Sequence, residues 1–190
     1  MHFNFTIHGR PFAWRRAQRD RRSGRTFTDK EMVASQRAIA ARACEAWGNA
    51  PPFFGPVKLL VMAVFEIPTS WPRAIREAAQ RGEVYCDSKP DDDNIRKQIA
   101  DALQFVAFVD DCQIADGRCI LRYGTGERTE VWAEELAGPQ TPAQRRRAKA
   151  WLEGAYDAAI AKAPCGRARW PCVLYANHIP PEPAQKGLPL

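Results

Sequence analysis

The chain has no run of eighteen apolar residues, no uninterrupted apolar segment at its N-terminus and no glycine-rich phosphate loop. The first absence excludes a membrane-spanning helix, the second a secretion signal and the third the common nucleotide-cradling motif, so a soluble cytoplasmic protein without a membrane partner is expected. Histidine is scarce. His2, His8 and His178 lie far apart, and no Ser-His-Asp or Cys-His order stands out. The six cysteines form no CxxC pair, which favours reduced thiols over a disulfide framework. Cys165, Cys172 and His178 have poor zinc spacing and no evident fourth ligand, so zinc is not expected. No internal repeat is visible.

What is present is an uneven charge. Residues 1–50 carry a net +6, residues 51–136 a net −5 and residues 137–190 a net +5, which together return the chain's +6. Basic arms flanking an acidic centre suit a polyanionic partner, the arms neutralising phosphates and the centre holding metal. The acids are clustered: Asp91, Asp92 and Asp93 lie at an expected helix start, and Asp110 and Asp111 before an expected strand. Two carboxylates about 4 Å apart repel by roughly 4 kcal/mol at an effective dielectric near 20, so a fold that gathers several needs a cation. A divalent metal with oxygen ligands is the simplest supplier.

Pro90 disfavours helix at Lys89, and the acids after it are good first-turn residues, so a helix starts near Asp92 or Asp93. Ile95, Ile99, Ala102 and Leu103 form its apolar stripe, and Lys97 lies four residues after Asp93, one turn above the acids. There an ammonium can hold a phosphate oxygen or assist proton transfer. Taken alone, these residues read better as an acidic cap with a surface ion pair. The second pair comes back beside Asp91 and Asp93 only if the loop through Phe105, Phe108 and Val109 folds back along the helix.

The string Lys89-Pro90-Asp91, then Asp93-Asn94 and Lys97, then Asp101-Ala102-Leu103, then Asp110-Asp111 with Gln113-Ile114, resembles the RusA family of Holliday junction resolvases. Ile7-His8-Gly9-Arg10-Pro11 and Gly24-Arg25-Thr26-Phe27-Thr28 resemble the start of that family, and the likeness runs over roughly residues 3–134. The resemblance implies a homodimeric endonuclease using Mg2+ or Mn2+, with Asp91, Asp93 and Asp111 binding the catalytic metal and Lys97 as a catalytic helper. Asp92 stands where the family usually has an apolar residue, and the chain after about residue 137 has no counterpart.

The remaining elements follow from pattern. Phe3, Phe5 and Ile7 alternate as in a half-buried strand, and a helix capped by Thr28 or Asp29 runs to about Trp47. Residues 57–67 form a central strand, 70–81 a short helix, and 114–123 with 130–135 a hairpin around Gly124-Thr125-Gly126. Thr141-Pro142 opens a helix to Ala161 with Trp151, Leu152, Ala155 and Ile160 on one face, and proline-rich chain follows. The expected fold is α+β, a mixed sheet with flanking helices, divided into an endonuclease domain (1–136) and a basic C-terminal helix and tail (137–190).

Arg15, Arg16, Arg19, Arg21, Arg22 and Arg25 interleave with Phe12, Trp14 and Phe27, a mixture suited to phosphates and unpaired bases, and Lys89 adds a cation beside the acids. The expected function is metal-dependent, structure-selective cleavage of four-way or other branched DNA. Two other readings stand: a noncatalytic nucleic-acid-binding protein whose acids cap a helix, and a hydrolase of a smaller phosphate ester, for which the basic arms have no use.

Overall fold

The computed structural model describes residues 2–16, 18–19, 21–22, 24, 26–27, 29–48 and 50–162. In chain order they form β1 (His2–His8), the short strands β2 (Gln18–Arg19) and β3 (Thr26–Phe27), α1 (Lys30–Trp47), β4 (Val57–Glu66), α2 (Arg73–Gln80) and α3 (Asp92–Leu103). A 3-10 turn (Asp111–Gln113) then leads into β5 (Ile114–Gly124) and β6 (Arg128–Glu135), followed by α4 (Pro142–Leu152) and α5 (Asp157–Ile160). Arg25 and the proline-rich stretch from Pro164, with Cys165, Cys172 and His178, lie outside the described residues.

β4 is the apolar centre of a four-stranded sheet with order β1-β6-β4-β5. It pairs antiparallel with β6 and parallel with β5, and the parallel pair requires the long crossover that α2 and α3 supply. β5 and β6 therefore do not form the expected hairpin, because β4 lies between them. Val64 faces Arg122 on one side and Arg128 on the other. An apolar strand stabilised on both edges outcompetes the local turn, and the chain crosses the end of β4 where Glu66 accepts the Gly126 N–H at 3.1 Å.

One sheet face carries Phe3, Phe5, Leu59, Val61, Ala63, Val131 and Ala133, which pack with α1 and α3 into the main core. α1 begins where the Asp29 carboxylate accepts the Glu31 N–H at 2.9 Å, and it buries Met32, Ile39, Ala43 and Trp47. It ends at Gly48, whose φ of 65° is the left-handed geometry that glycine adopts most readily. α3 buries Ile95, Ile99, Ala102 and Leu103, the stripe expected from the sequence, and so presents its acids outward.

The C-terminal helix differs from expectation. Gly154, with φ 72°, ends α4, and a separate short α5 follows. Trp151 and Ile160 are buried against Val109 in a second core, while Leu152 is 56% exposed because it follows Trp151 in the same helix and points about 100° away from it. Among the described residues no helix is long and apolar enough to cross a membrane.

Candidate active site

α3 fixes the first acids. Asp91 is its N-cap residue, but the side chain makes no capping hydrogen bond; the Asp91 carbonyl instead accepts the Ile95 N–H at 3.3 Å. Asp91, Asp92 and Asp93 are all exposed at the positive end of the helix, which favours anions there while their mutual repulsion opposes them. An open groove of about 590 Å³ runs beside them, lined by Tyr85, Cys86, Ser88, Asp91, Asp92 and Cys119. Burial pushes the Cys119 thiol up to about 12, with the Asp92 charge adding to the rise, so this cysteine stays protonated.

Lys97 points along α3 toward Asp101, with Nζ 3.6 Å from Oδ1. Its ammonium also lies 5.1 Å from the centre of the Trp14 ring, over the face where a cation is favoured. Trp14 is tied to the same helix, its backbone N–H donating to the Asn94 carbonyl at 2.9 Å. The lysine thus stands one turn beyond Asp93 as expected, but its ion pair is with the acid one turn further on.

Asp101 connects α3 to the second acid pair. Its carboxyl is half-buried and pushed above its ordinary value, first by burial and then by the Asp111 charge, which Lys97 opposes in part. The loop after α3 does fold back. Phe105 takes a φ of 62°, its N–H donates to the Phe108 carbonyl at 2.7 Å, and the chain returns along the helix to the 3-10 turn.

The two returned acids have different tasks. Asp110 caps the turn, accepting the Cys112 N–H at 2.9 Å. Hydrogen bonds from the Cys112 thiol and backbone hold its carboxyl below the usual range, and the Arg147 guanidinium adds to this. Asp111, one residue later, is exposed and is not the cap.

Gln113 holds the turn in place. Its Oε1 accepts the Val109 and Asp110 N–H groups, both at 3.0 Å, and its Nε2 donates to the Phe53 and Gly55 carbonyls, both at 2.9 Å. Replacing Gln113 by Ala orphans four backbone groups in or near the core. The expected result is a loss of about 3 kcal/mol or more in urea unfolding; an unchanged midpoint would show that these bonds are dispensable.

The cationic arm is divided. Arg15 is held at 2.8 Å by Asp29 and at 3.4 Å by Glu31, with its guanidinium 4.9 Å from the Phe12 ring, so it secures the start of α1. Arg16, Arg21, Arg22 and Lys89 are exposed, and Arg19 lies in β2 opposite Thr26.

The donor chemistry fits a hard divalent cation, since the acids supply only carboxylate oxygens. Among the described residues, however, no three His, Cys, Asp or Glu side chains converge closely enough to form a ligand set. The described side chains bring Asp101, Lys97 and Asp111 together, while Asp91 and Asp93 stand free at the helix start. The sequence places Asp101 and Gln113 in the family motif without a role and Arg147 only within a basic arm. The capping-box spacing Asp110-x-x-Gln113 was the available signal for the glutamine.

An exposed acidic helix start with a second acid pair returned after the helix, on a chain rich in arginine, is an arrangement with charge suited to a phosphate-bearing partner. The family can be named from comparison with known proteins. The family model for Endodeoxyribonuclease RusA matches residues 8–134, and the chain belongs to that family. The chain is also 28% identical over 137 residues, 70% of its own length and 96% of the relative's, to "Uncharacterized protein YqaN" of Bacillus subtilis (strain 168).

Proposed function

We propose that the chain is a divalent-metal-dependent endodeoxyribonuclease that resolves Holliday junctions, working in the cytoplasm in DNA recombination and repair. The observation that carries this reading is the fold-back after α3 that returns the Asp110-Asp111 turn to where the Asp111 charge acts on half-buried Asp101, within the family match. Asp91, Asp93 and Asp111 would hold Mg2+ or Mn2+, which when bound supplies an activated water and neutralises charge on the phosphate.

The chain's own residues do the rest. Lys97, over the Trp14 face and beside Asp101, is poised to donate to a phosphate oxygen as negative charge grows on it. Arg16, Arg19, Arg21, Arg22, Arg25 and Lys89 would neutralise flanking phosphates without reading sequence. A four-way junction has approximate two-fold symmetry, so a homodimer with two equal sites would make paired cuts in opposing strands.

The test is an end-labelled four-way junction beside a linear duplex of the same sequence, each with magnesium and with chelator. Cleavage of the junction only, in magnesium only and with cuts in opposing strands, is expected. Tight junction binding without cleavage would overturn the enzyme reading in favour of a binding protein.

Lys97→Ala separates phosphate contact from metal binding. An ammonium cannot ligate a cation, so turnover should fall by a factor of about 100 while Mn2+ affinity stays within threefold. Affinity collapsing together with turnover would make the lysine structural.

A further inference from the structure

The returned acids are held from behind by a part of the chain that lies outside the family match. Arg147 of α4 donates to the Phe54 carbonyl and to the Cys112 sulfur, both at 3.3 Å. Gln113 takes the carbonyls on either side, those of Phe53 and Gly55, so two side chains grip three consecutive carbonyls and the acidic turn between them. Gly55 permits the close approach, because a Cβ there would collide with the Gln144 amide of α4 and the Glu135 carboxylate.

Two further contacts reach the same return segment. Trp151 and Ile160 enclose Val109, the residue before Asp110. The Tyr156 ring lies 6.0 Å from that of Phe105, whose positive φ is the bend that starts the return. The extension therefore touches the segment at its beginning, middle and end.

We propose that the α4–α5 extension is a clamp that sets the position of the second acid pair, with Arg147 as its positioning residue. The catalytic part of the claim rests on the nuclease reading above; the clamp itself does not. The guanidinium touches no reacting group. It ties Cys112 to the Phe54 carbonyl and so holds the Asp110–Asp111 turn in place. Arg145 and Arg146 are exposed on the same helix, whereas both terminal nitrogens of Arg147 are used within the fold.

The test compares Arg147→Ala, Arg147→Lys and Ile160→Ala in the full chain. For Arg147→Ala, amide hydrogen exchange across residues 109–113 should speed up at least tenfold while α3 amides are unchanged. Junction turnover should fall about tenfold, with junction affinity in chelator and its salt dependence unaltered. Arg147→Lys, which keeps the charge but has a single donor nitrogen in place of two, should recover part of both losses. Ile160→Ala should lower the melting temperature more than Arg147→Ala and slow turnover less.

Unchanged exchange at 109–113 would overturn the clamp, as would Ile160→Ala slowing turnover more than Arg147→Ala. So would a drop of about one unit in the salt slope for Arg147→Ala, the signature of a lost phosphate contact. If the unaltered chain cuts no junction, the nuclease reading fails alone, and the exchange measurement still decides the clamp.

Discussion

Asp111→Asn abolishes junction cleavage, with turnover falling at least a thousandfold, about 4 kcal/mol of transition-state stabilisation, while junction affinity in chelator changes less than threefold. Asp93→Asn and Asp91→Asn do the same. On the proposed assignment each replacement removes a charged oxygen ligand but keeps the shape of the side chain, so metal affinity and water activation should be lost while the surface offered to DNA is nearly unchanged. Folding survives because all three acids are exposed. Loss of an acid from the start of α3 costs about 0.3–1 kcal/mol of dipole interaction, offset by relief of repulsion within the cluster.

Asp110→Asn is the internal control. Its carboxylate caps the 3-10 turn and Asn offers the same acceptor oxygen to the Cys112 N–H, so this variant should keep nearly all of its stability and most of its cleavage. Steady-state cleavage and urea unfolding on the same preparations check both halves. Asp111→Asn cutting at the unaltered rate, or Asp110→Asn losing more turnover than Asp111→Asn, would sink the division of labour between the neighbouring acids.

That division illustrates what the sequence reveals and what it conceals. The helical spacing of Ile95, Ile99, Ala102 and Leu103 settles which face of α3 is buried, and so which way its acids point, because 3.6-residue periodicity acts locally. α1 is legible for the same reason, β1 from the two-residue alternation of Phe3, Phe5 and Ile7, and β4 as a continuous apolar run. The pairing of β5 and β6 is not, since the glycines at 124 and 126 suit a hairpin and only the competition for the edges of β4 separates the strands. Asp110 and Asp111 are identical in composition. Their different tasks arise from a one-residue offset in a turn whose geometry depends on carbonyls some 55 to 60 positions earlier in the chain. Lys97 shows the same limit: helical spacing places it within reach of Asp93 and Asp101 alike, and its ion pair goes to the acid that burial and Asp111 already perturb.

Removing the chain from Gly138 onward exposes the second core and unseats the return segment, so the truncated protein loses both stability and cleavage. The basic charge of this region suggests a DNA-binding arm that can be deleted without harm to catalysis, but its burial argues otherwise. Trp151 is 3% exposed and Ile160 1%, and they cover Val109, Phe54 and Phe105. Fully burying a large apolar side chain is worth about 1.5–3 kcal/mol, so losing the two buried residues and the cover they give costs about 5 kcal/mol. That is comparable with the whole stability of a small domain, roughly 5–15 kcal/mol. The loss falls mainly on one region, because the extension contacts residues 105–112 and the adjoining Phe54–Gly55 segment, whereas the main core on α1 and α3 is built without it. A melting curve should therefore show a strongly lowered transition, and Mn2+ titration a weakened site. DNA affinity should fall as well, through loss of Arg145 and Arg146, which flattens the slope of log affinity against log salt by about two units on duplex DNA. A truncated protein that melts like the full chain and cleaves at its rate would show that the extension is an accessory arm and that residues 105–112 hold their fold alone.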